Sequence, residues 1–211
     1  MINVIIAGVG GQGTVLAAKI LAVAAASKGW NVRTAETIGM AQRGGSVVSH
    51  VRIGNNGEDI HAPLVTKGTA NLIIAFEPGE AAREISYLAR SGTIVMATTP
   101  IEPVSATLSV ADYDVSEIIE NIQLALYNAM VQNIAHEKAN QARLFTVDDK
   151  ALTDSLGGNR KILNAVMLAE AVRAGALPFT AEELCAAVAA CVKPRYVDMN
   201  VTAVQAVLSD Q

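Results

Sequence analysis

Cysteine is nearly absent: Cys185 and Cys191 are the only two in 211 residues. Two thiolates cannot by themselves hold a four-ligand zinc site or an iron–sulfur cluster. Six positions apart in one helical pattern, they point to roughly opposite faces, which disfavours a local disulfide, so buried and inert thiols are expected. Charge is sparse as well. Charged residues make up 17% of the chain, the net charge is −4, and no run of Lys and Arg offers a nucleic-acid footprint. No apolar run has the length of a membrane span, and Met1-Ile2-Asn3 leads directly into an apolar strand pattern without a charged leader. A cytoplasmic protein without membrane or nucleic-acid partners is expected. Internal repeats, linkers and low-complexity segments are also missing, so residues 1–211 read as a single domain.

What is abundant is aliphatic: 51% of the residues are hydrophobic, mostly Ala, Val, Leu and Ile, while aromatics are only 4%. That composition suits a sheet covered by helices on both faces, and equally a subunit that hides surface against a partner. The chain is organised around residues 2–19. Asn3 to Ala7 is a short β-branched run fit for one buried strand, followed by Gly8, Gly10, Gly11, Gln12 and Gly13, then an Ala/Leu-rich helix. Gly8-x-Gly10-x-x-Gly13 has the spacing and the strand–turn–helix context of a dinucleotide fingerprint. Glycines there allow positive φ and let backbone N–H groups face an anion at the helix N-terminus. A tight β-to-α turn needs small residues for packing in any case, so both readings stand.

The first helix, about residues 13–28, stops at Gly29, and residues 31–36 read as a second strand. Glu36 at its end occupies the place of a ribose-binding carboxylate in a nicotinamide enzyme; alternatively it simply ends a strand at the solvent edge. Residues 37–46 then carry three glycines and no amphipathic repeat where a crossover helix would be expected, which makes them a loop. Within it, Gln42, Arg43, Gly44, Gly45 and Ser46 form a block in which Arg43 is placed to grip a carboxylate or phosphate, or to pair with a neighbouring acid.

Residues 46–53 alternate as a half-exposed strand, and Gly54-Asn55-Asn56-Gly57 has hairpin chemistry that predicts an antiparallel return over residues 58–61. Such a hairpin would set His50 opposite His61, as surface histidines rather than a metal pair. Residues 71–76 and 93–97 are expected to be buried strands, with a helix from Glu77-Pro78-Gly79 to about Arg90 that Gly92 stops. Beyond Pro100 and Pro103 the chain turns mostly helical: residues 115–141, a helix opened by Asp148-Asp149, residues 161–174, a capping box at Thr180, and residues 197–208. A strand at residues 144–147 interrupts them. The fold predicted is α/β: a Rossmann-like doubly wound sheet with an inserted hairpin and a helical C-terminal part.

The blocks GVGGQG (residues 8–13) and ETIGMAQRGGSVVSHVRIG (residues 36–54) carry a resemblance, continued by LIIAFEPGEAAR and LGGNRKILNAVMLAEAV. The chain resembles the γ subunit, or γ domain, of 2-oxoacid:ferredoxin oxidoreductases, most closely the small β subunit of the indolepyruvate-type enzymes. Ile38 departs from the pattern, standing where many members carry histidine, and residues 121–143 are longer than usual. The resemblance implies a subunit of an enzyme that oxidatively decarboxylates a 2-oxo acid with coenzyme A, giving an acyl-CoA, CO2 and reduced ferredoxin. Thiamine diphosphate and iron–sulfur clusters would belong to a large partner subunit, and the chain alone would bind neither and be inactive. The rival readings are a free-standing NAD(P)- or flavin-binding oxidoreductase and a pure interaction module.

Overall fold

The computed structural model describes residues 1–39, 45–101, 113–131 and 141–209. Six strands form one mixed sheet: β1 (Ile2–Val9), β2 (Asn31–Ile38), β3 (Ser46–Gly54), β4 (Ala70–Ala75), β5 (Leu88–Ala97) and β6 (Arg143–Val147), in the order β2-β3-β1-β4-β5-β6. β1, β4, β5 and β6 are parallel, whereas β3 runs antiparallel to both β1 and β2. Helices α1 (Thr14–Ser27), α2 (Pro78–Glu84), α3 (Val115–Val131), α4 (Asp149–Ser155), α5 (Leu163–Arg173), α6 (Ala181–Cys191) and α7 (Val197–Ser209) cover the faces.

The two-residue period of the strands splits the core in two. Val4, Ile6, Leu72, Ile74 and Val95 face one way and pack with α1, α5, α6 and α7. Their neighbours Ile5, Ala7, Ile73, Ala75, Ile94 and Met96 face the other way, against Ala81 of α2 and Ile122 of α3. At roughly 1.5–3 kcal/mol per fully buried aliphatic side chain, this double burial is the main stabilising contribution to the fold.

Several predicted elements form as read. Gly29 closes α1 with φ 73°, and Gly175 follows α5 with φ 70°. Thr180 Oγ1 accepts from the Glu183 N–H while Glu183 returns the bond to the Thr180 N–H, a complete capping box at α6. The long helix after residue 115 is described to Val131; its predicted continuation through residues 132–140 lies outside the described residues.

Three expectations are corrected. The inserted hairpin is β2–β3, not β3 with residues 58–61: both edges of β3 are taken, by β1 and by β2, so no edge remains for a return strand. Consequently His50 and His61 do not face each other across a hairpin. His50 is buried and accepts at Nδ1 from the Val65 N–H (3.2 Å), while His61 is exposed. β3 is also buried on both faces rather than half-exposed. Finally, α2 ends at Glu84, a short 3₁₀ turn follows over Ile85–Tyr87, and β5 begins at Leu88. Gly92 is therefore not a helix stop. It sits where β5 crowds β4, and a Cβ there would lie 2.7 Å from the Ala70 carbonyl oxygen.

Candidate functional site

The carboxyl ends of the parallel strands form the edge where open α/β sheets build their sites. The glycine turn leaves β1 at this edge. Its left-handed residues are Gly11 (φ 102°) and Gly13 (φ 85°), the latter serving as N-cap of α1 without any side-chain cap. Gln12 locks the turn from within: its Oε1 accepts from the Val9 N–H (2.7 Å) and its Nε2 donates to the Phe76 carbonyl (2.7 Å) at the end of β4. Gly8 must be small, because a Cβ would stand 2.9 Å from Gln12 Oε1 and 3.2 Å from Phe76 Cβ. Gly13 must be small too, since a Cβ would stand 2.5 Å from Asn164 Nδ2 on α5. Asn164 Oδ1 is itself buried without a hydrogen-bond partner. The backbone reading thus has a specific neighbour as its cause at Gly8 and Gly13, and a left-handed φ at Gly11.

The second predicted block reaches the same edge. Residues 40–44, and so Gln42, Arg43 and Gly44, lie outside the described residues. The flanking residues are placed: the Gly39 N–H donates to the Ser46 carbonyl (2.8 Å), and the Gly10 N–H donates to the Gly45 carbonyl (2.9 Å). The two glycine-rich stretches, far apart in sequence, are therefore hydrogen-bonded at their roots. Glu36 is not brought to the glycine turn. It lies exposed on edge strand β2 opposite Ser49, which in turn lies opposite Ile6, so β3 stands between Glu36 and β1. In a dinucleotide fold the acid-bearing strand neighbours β1; here it is two strand spacings away, roughly 10 Å. The cause is the short connection across residues 39–45, which folds β3 back antiparallel instead of crossing over.

Sequence reasoning missed a pair of buried acids at this edge. Glu77 caps α2, its Oε2 accepting from the Glu80 N–H (3.0 Å), and its Oε1 accepts from the Tyr113 hydroxyl. That hydroxyl also accepts from the Gly79 N–H (2.8 Å). Burial, then the bond to Glu77, pushes the Tyr113 phenol well above its ordinary pKa. Glu80, 4% exposed, accepts from Ser46 Oγ (2.5 Å) on one oxygen and pairs with Arg83 on the other. Burial, and next the charge of Glu80, raises the pKa of the Glu84 carboxyl beyond them. The available signal was the two acids three positions apart directly after a strand. Toward β6, the fully buried Asp149 accepts from the Thr99 N–H (2.8 Å) and pairs with Arg160 (2.8 Å).

Nothing in this arrangement is a nucleophile–base pair. Among the described residues, no group of three or more His, Cys, Asp or Glu side chains could hold a metal ion, and no helix is long and apolar enough to cross a membrane. Cys185 and Cys191 share α6, half-buried, with burial raising both thiol pKa values. Two protonated thiols on one helix do not fit an iron–sulfur cluster, which takes four thiolates.

The family model described as pyruvate ferredoxin/flavodoxin oxidoreductase matches residues 3–209. The indolepyruvate oxidoreductase subunit IorB of Archaeoglobus fulgidus is 36% identical over 205 residues, 97% of this chain and 92% of that protein. Among solved structures, the γ subunit of a keto/oxoacid ferredoxin oxidoreductase from Geobacter sulfurreducens superposes with a TM-score of 0.64 at 17% identity, covering 99% of this chain and 97% of that one. The 2-oxoglutarate:ferredoxin oxidoreductase of Magnetococcus marinus, solved with 2-oxoglutarate, coenzyme A and succinyl-CoA bound, superposes with a TM-score of 0.65 at 14% identity; this whole chain covers 31% of that one. At such identities the two structures bear on the fold alone. With the family model spanning nearly its whole length, the chain belongs to the pyruvate ferredoxin/flavodoxin oxidoreductase family.

Proposed function

We propose that this chain is the small, γ-type subunit of a cytoplasmic 2-oxoacid:ferredoxin oxidoreductase that decarboxylates an aryl pyruvate such as indolepyruvate to its acyl-CoA, with ferredoxin as electron acceptor. The observation that carries this is the 36% identity to an indolepyruvate oxidoreductase subunit across 97% of the chain. When bound in the complex, thiamine diphosphate supplies the carbanion chemistry and iron–sulfur clusters the electron path, and both belong to a larger partner subunit. The two half-buried cysteines, too few for a cluster, support a chain that completes a site rather than owning one.

The part of this chain in the reaction is positional. Gly8, Gly10, Gly11, Gln12 and Gly13 build one wall at the sheet's carboxyl edge, and the role assigned to Gln42, Arg43, Gly44, Gly45 and Ser46 is contact with the partner. Arg43 supplies a fixed positive charge for an anionic group near the thiamine or coenzyme A site, and its guanidinium suits bidentate pairing with carboxylate or phosphate. Glu36, exposed on the edge strand, serves the partner-facing rim rather than a ribose.

The test is reconstitution. Co-purified with its large subunit, the chain should support ferredoxin reduction that requires both indolepyruvate and coenzyme A, with pyruvate a poorer substrate. Either subunit alone should give no turnover. Reduction of NAD(P) by the lone chain, or an active large subunit without it, would contradict the proposal.

A further inference from the structure

β2 ends the sheet on one side, and among the described residues no strand takes its outer edge. Which backbone groups face outward follows from the inner side. The Gly39 N–H donates to the Ser46 carbonyl (2.8 Å), so 39 and 46 are a hydrogen-bonded pair of the antiparallel ladder. The register carries that alternation back through Thr37–Val48, Ala35–His50 and Arg33–Arg52. Val32, Thr34, Glu36 and Ile38 therefore turn their N–H and C=O groups away from β3. Such edges are commonly blunted by proline, lysine or a bulge. Residues 31–38 contain neither proline nor lysine, and their pairing with β3 has no register shift. Ile38 is 70% exposed, more than any other large apolar side chain among the described residues.

The strand is complementary to itself across a twofold axis. Antiparallel pairing centred on Ala35 sets Thr34 opposite Glu36 and Val32 opposite Ile38 of a second copy, so every outward group from 32 to 38 finds a partner. Apolar meets apolar, Arg33 meets Thr37, and no like charges stand directly opposite. Moving the axis to Glu36 would set two carboxylates face to face, which is destabilising. Moving it to Thr34 would put Val32 against Glu36 and leave Ile38 outside the ladder. We propose that two copies of this chain join edge to edge through β2, in the register centred on Ala35, to make one continuous sheet. Only the backbone edge is used; the faces of β2, with the Glu36 carboxylate, stay open to the large subunit. The pairing is independent of the reaction assigned above.

The test is cysteine cross-linking of the whole chain, with Cys185→Ala and Cys191→Ala as background. Ala35→Cys sets two thiols across the axis with Cα atoms about 4.5 Å apart, within disulfide reach. Thr34→Cys and Glu36→Cys each set like thiols on a diagonal of about 7–8 Å, at or beyond that reach. Mild oxidation should therefore convert Ala35→Cys to a covalent dimer about tenfold faster than either neighbour. Light scattering of the unaltered chain at micromolar concentration should give twice the 22.0 kDa of one chain. Thr34→Pro removes an outward N–H and spares the bonds to β3, so it should return the mass to one chain with circular dichroism unchanged. If that variant fails to fold, Ile38→Lys, at an exposed position, should weaken the dimer about tenfold in its place. In the complex assembled with the large subunit, Ala35→Cys should still join two small subunits. A monomeric chain, a Thr34→Pro variant that folds yet keeps the doubled mass, or cross-linking at 34 or 36 as fast as at 35 overturns the proposal. So does an Ala35→Cys bond that no longer forms once the large subunit is present, which would give the edge to that subunit.

Discussion

Two glycine-rich stretches meet at the carboxyl edge of the sheet, and they are held in different ways. The turn at residues 8–13 is locked by its own side chain, with Gln12 bonded to Val9 behind it and to Phe76 on the next strand. Its small residues answer to specific neighbours: Gly8 to Gln12 and Phe76, Gly13 to Asn164. The described ends of the stretch at residues 37–46 are held by other elements instead: Gly45 by Gly10, Ser46 by Glu80, and Gly39 by its pairing with Ser46. The contrast teaches that glycines matching a nucleotide fingerprint can answer to packing, as Gly8 and Gly13 do here. The less familiar block beside it is where we place a functional role.

The comparison can be broken most directly at Gly13. Gly13→Val places a β-branched side chain at φ 85° and into Asn164, so a loss of about 2–4 kcal/mol is expected, read as a large drop in melting temperature of the lone chain. An unchanged melt would mean that the turn relaxes freely and is not locked. Gln12→Leu comes next. It leaves the Val9 N–H and the Phe76 carbonyl without their partner, and should cost about 1–3 kcal/mol in urea unfolding at unchanged m. A loss no larger than that of an exposed substitution would remove Gln12 from the account.

The smallest expected effect concerns β3, which continues from Ser46. Burial lowers the pKa of His50 from 6.5, while its Nδ1 accepts from the Val65 N–H. Protonation would cost that acceptor, and the unfolded chain binds the proton more readily than the folded one. Stability should therefore fall as pH drops from about 6.5 through the lowered folded value, and be regained as pH rises. His50→Phe should flatten this slope between pH 7 and 5 in thermal melts, whereas an identical slope would place the titration elsewhere.

Much of this was legible because local chemistry and tertiary context agree. The strand, turn and helix at residues 2–27 follow from β-branched residues, glycines and an Ala-rich repeat, and Thr180 with Glu183 makes the capping box their spacing predicts. The misreadings fall where a distant partner decides. Gly92 reads as a helix stop until the Ala70 carbonyl is seen to crowd it. Residues 54–57 have hairpin chemistry, yet β3 has no free edge once β1 and β2 pair with it. At the site, the glycine turn was legible from spacing, but its cause was not, since Asn164 lies about 150 positions away. The Glu77–Tyr113 and Glu80–Ser46 bonds were hidden for the same reason, being made across 36 and 34 positions.

The central claim is that the turn serves the fold while the neighbouring loop serves the complex. Arg43→Ala tests it most directly, by setting the melting temperature of the lone subunit beside turnover of the reconstituted complex. An exposed arginine contributes roughly 0–1 kcal/mol to stability, whereas one desolvated against an anionic group at an interface is worth several times more. The account predicts a melt within about 2 °C of wild type and a complex that assembles but turns over at least tenfold more slowly. A mutant complex running at the wild-type rate, or a lone subunit that loses its stability first, would contradict it.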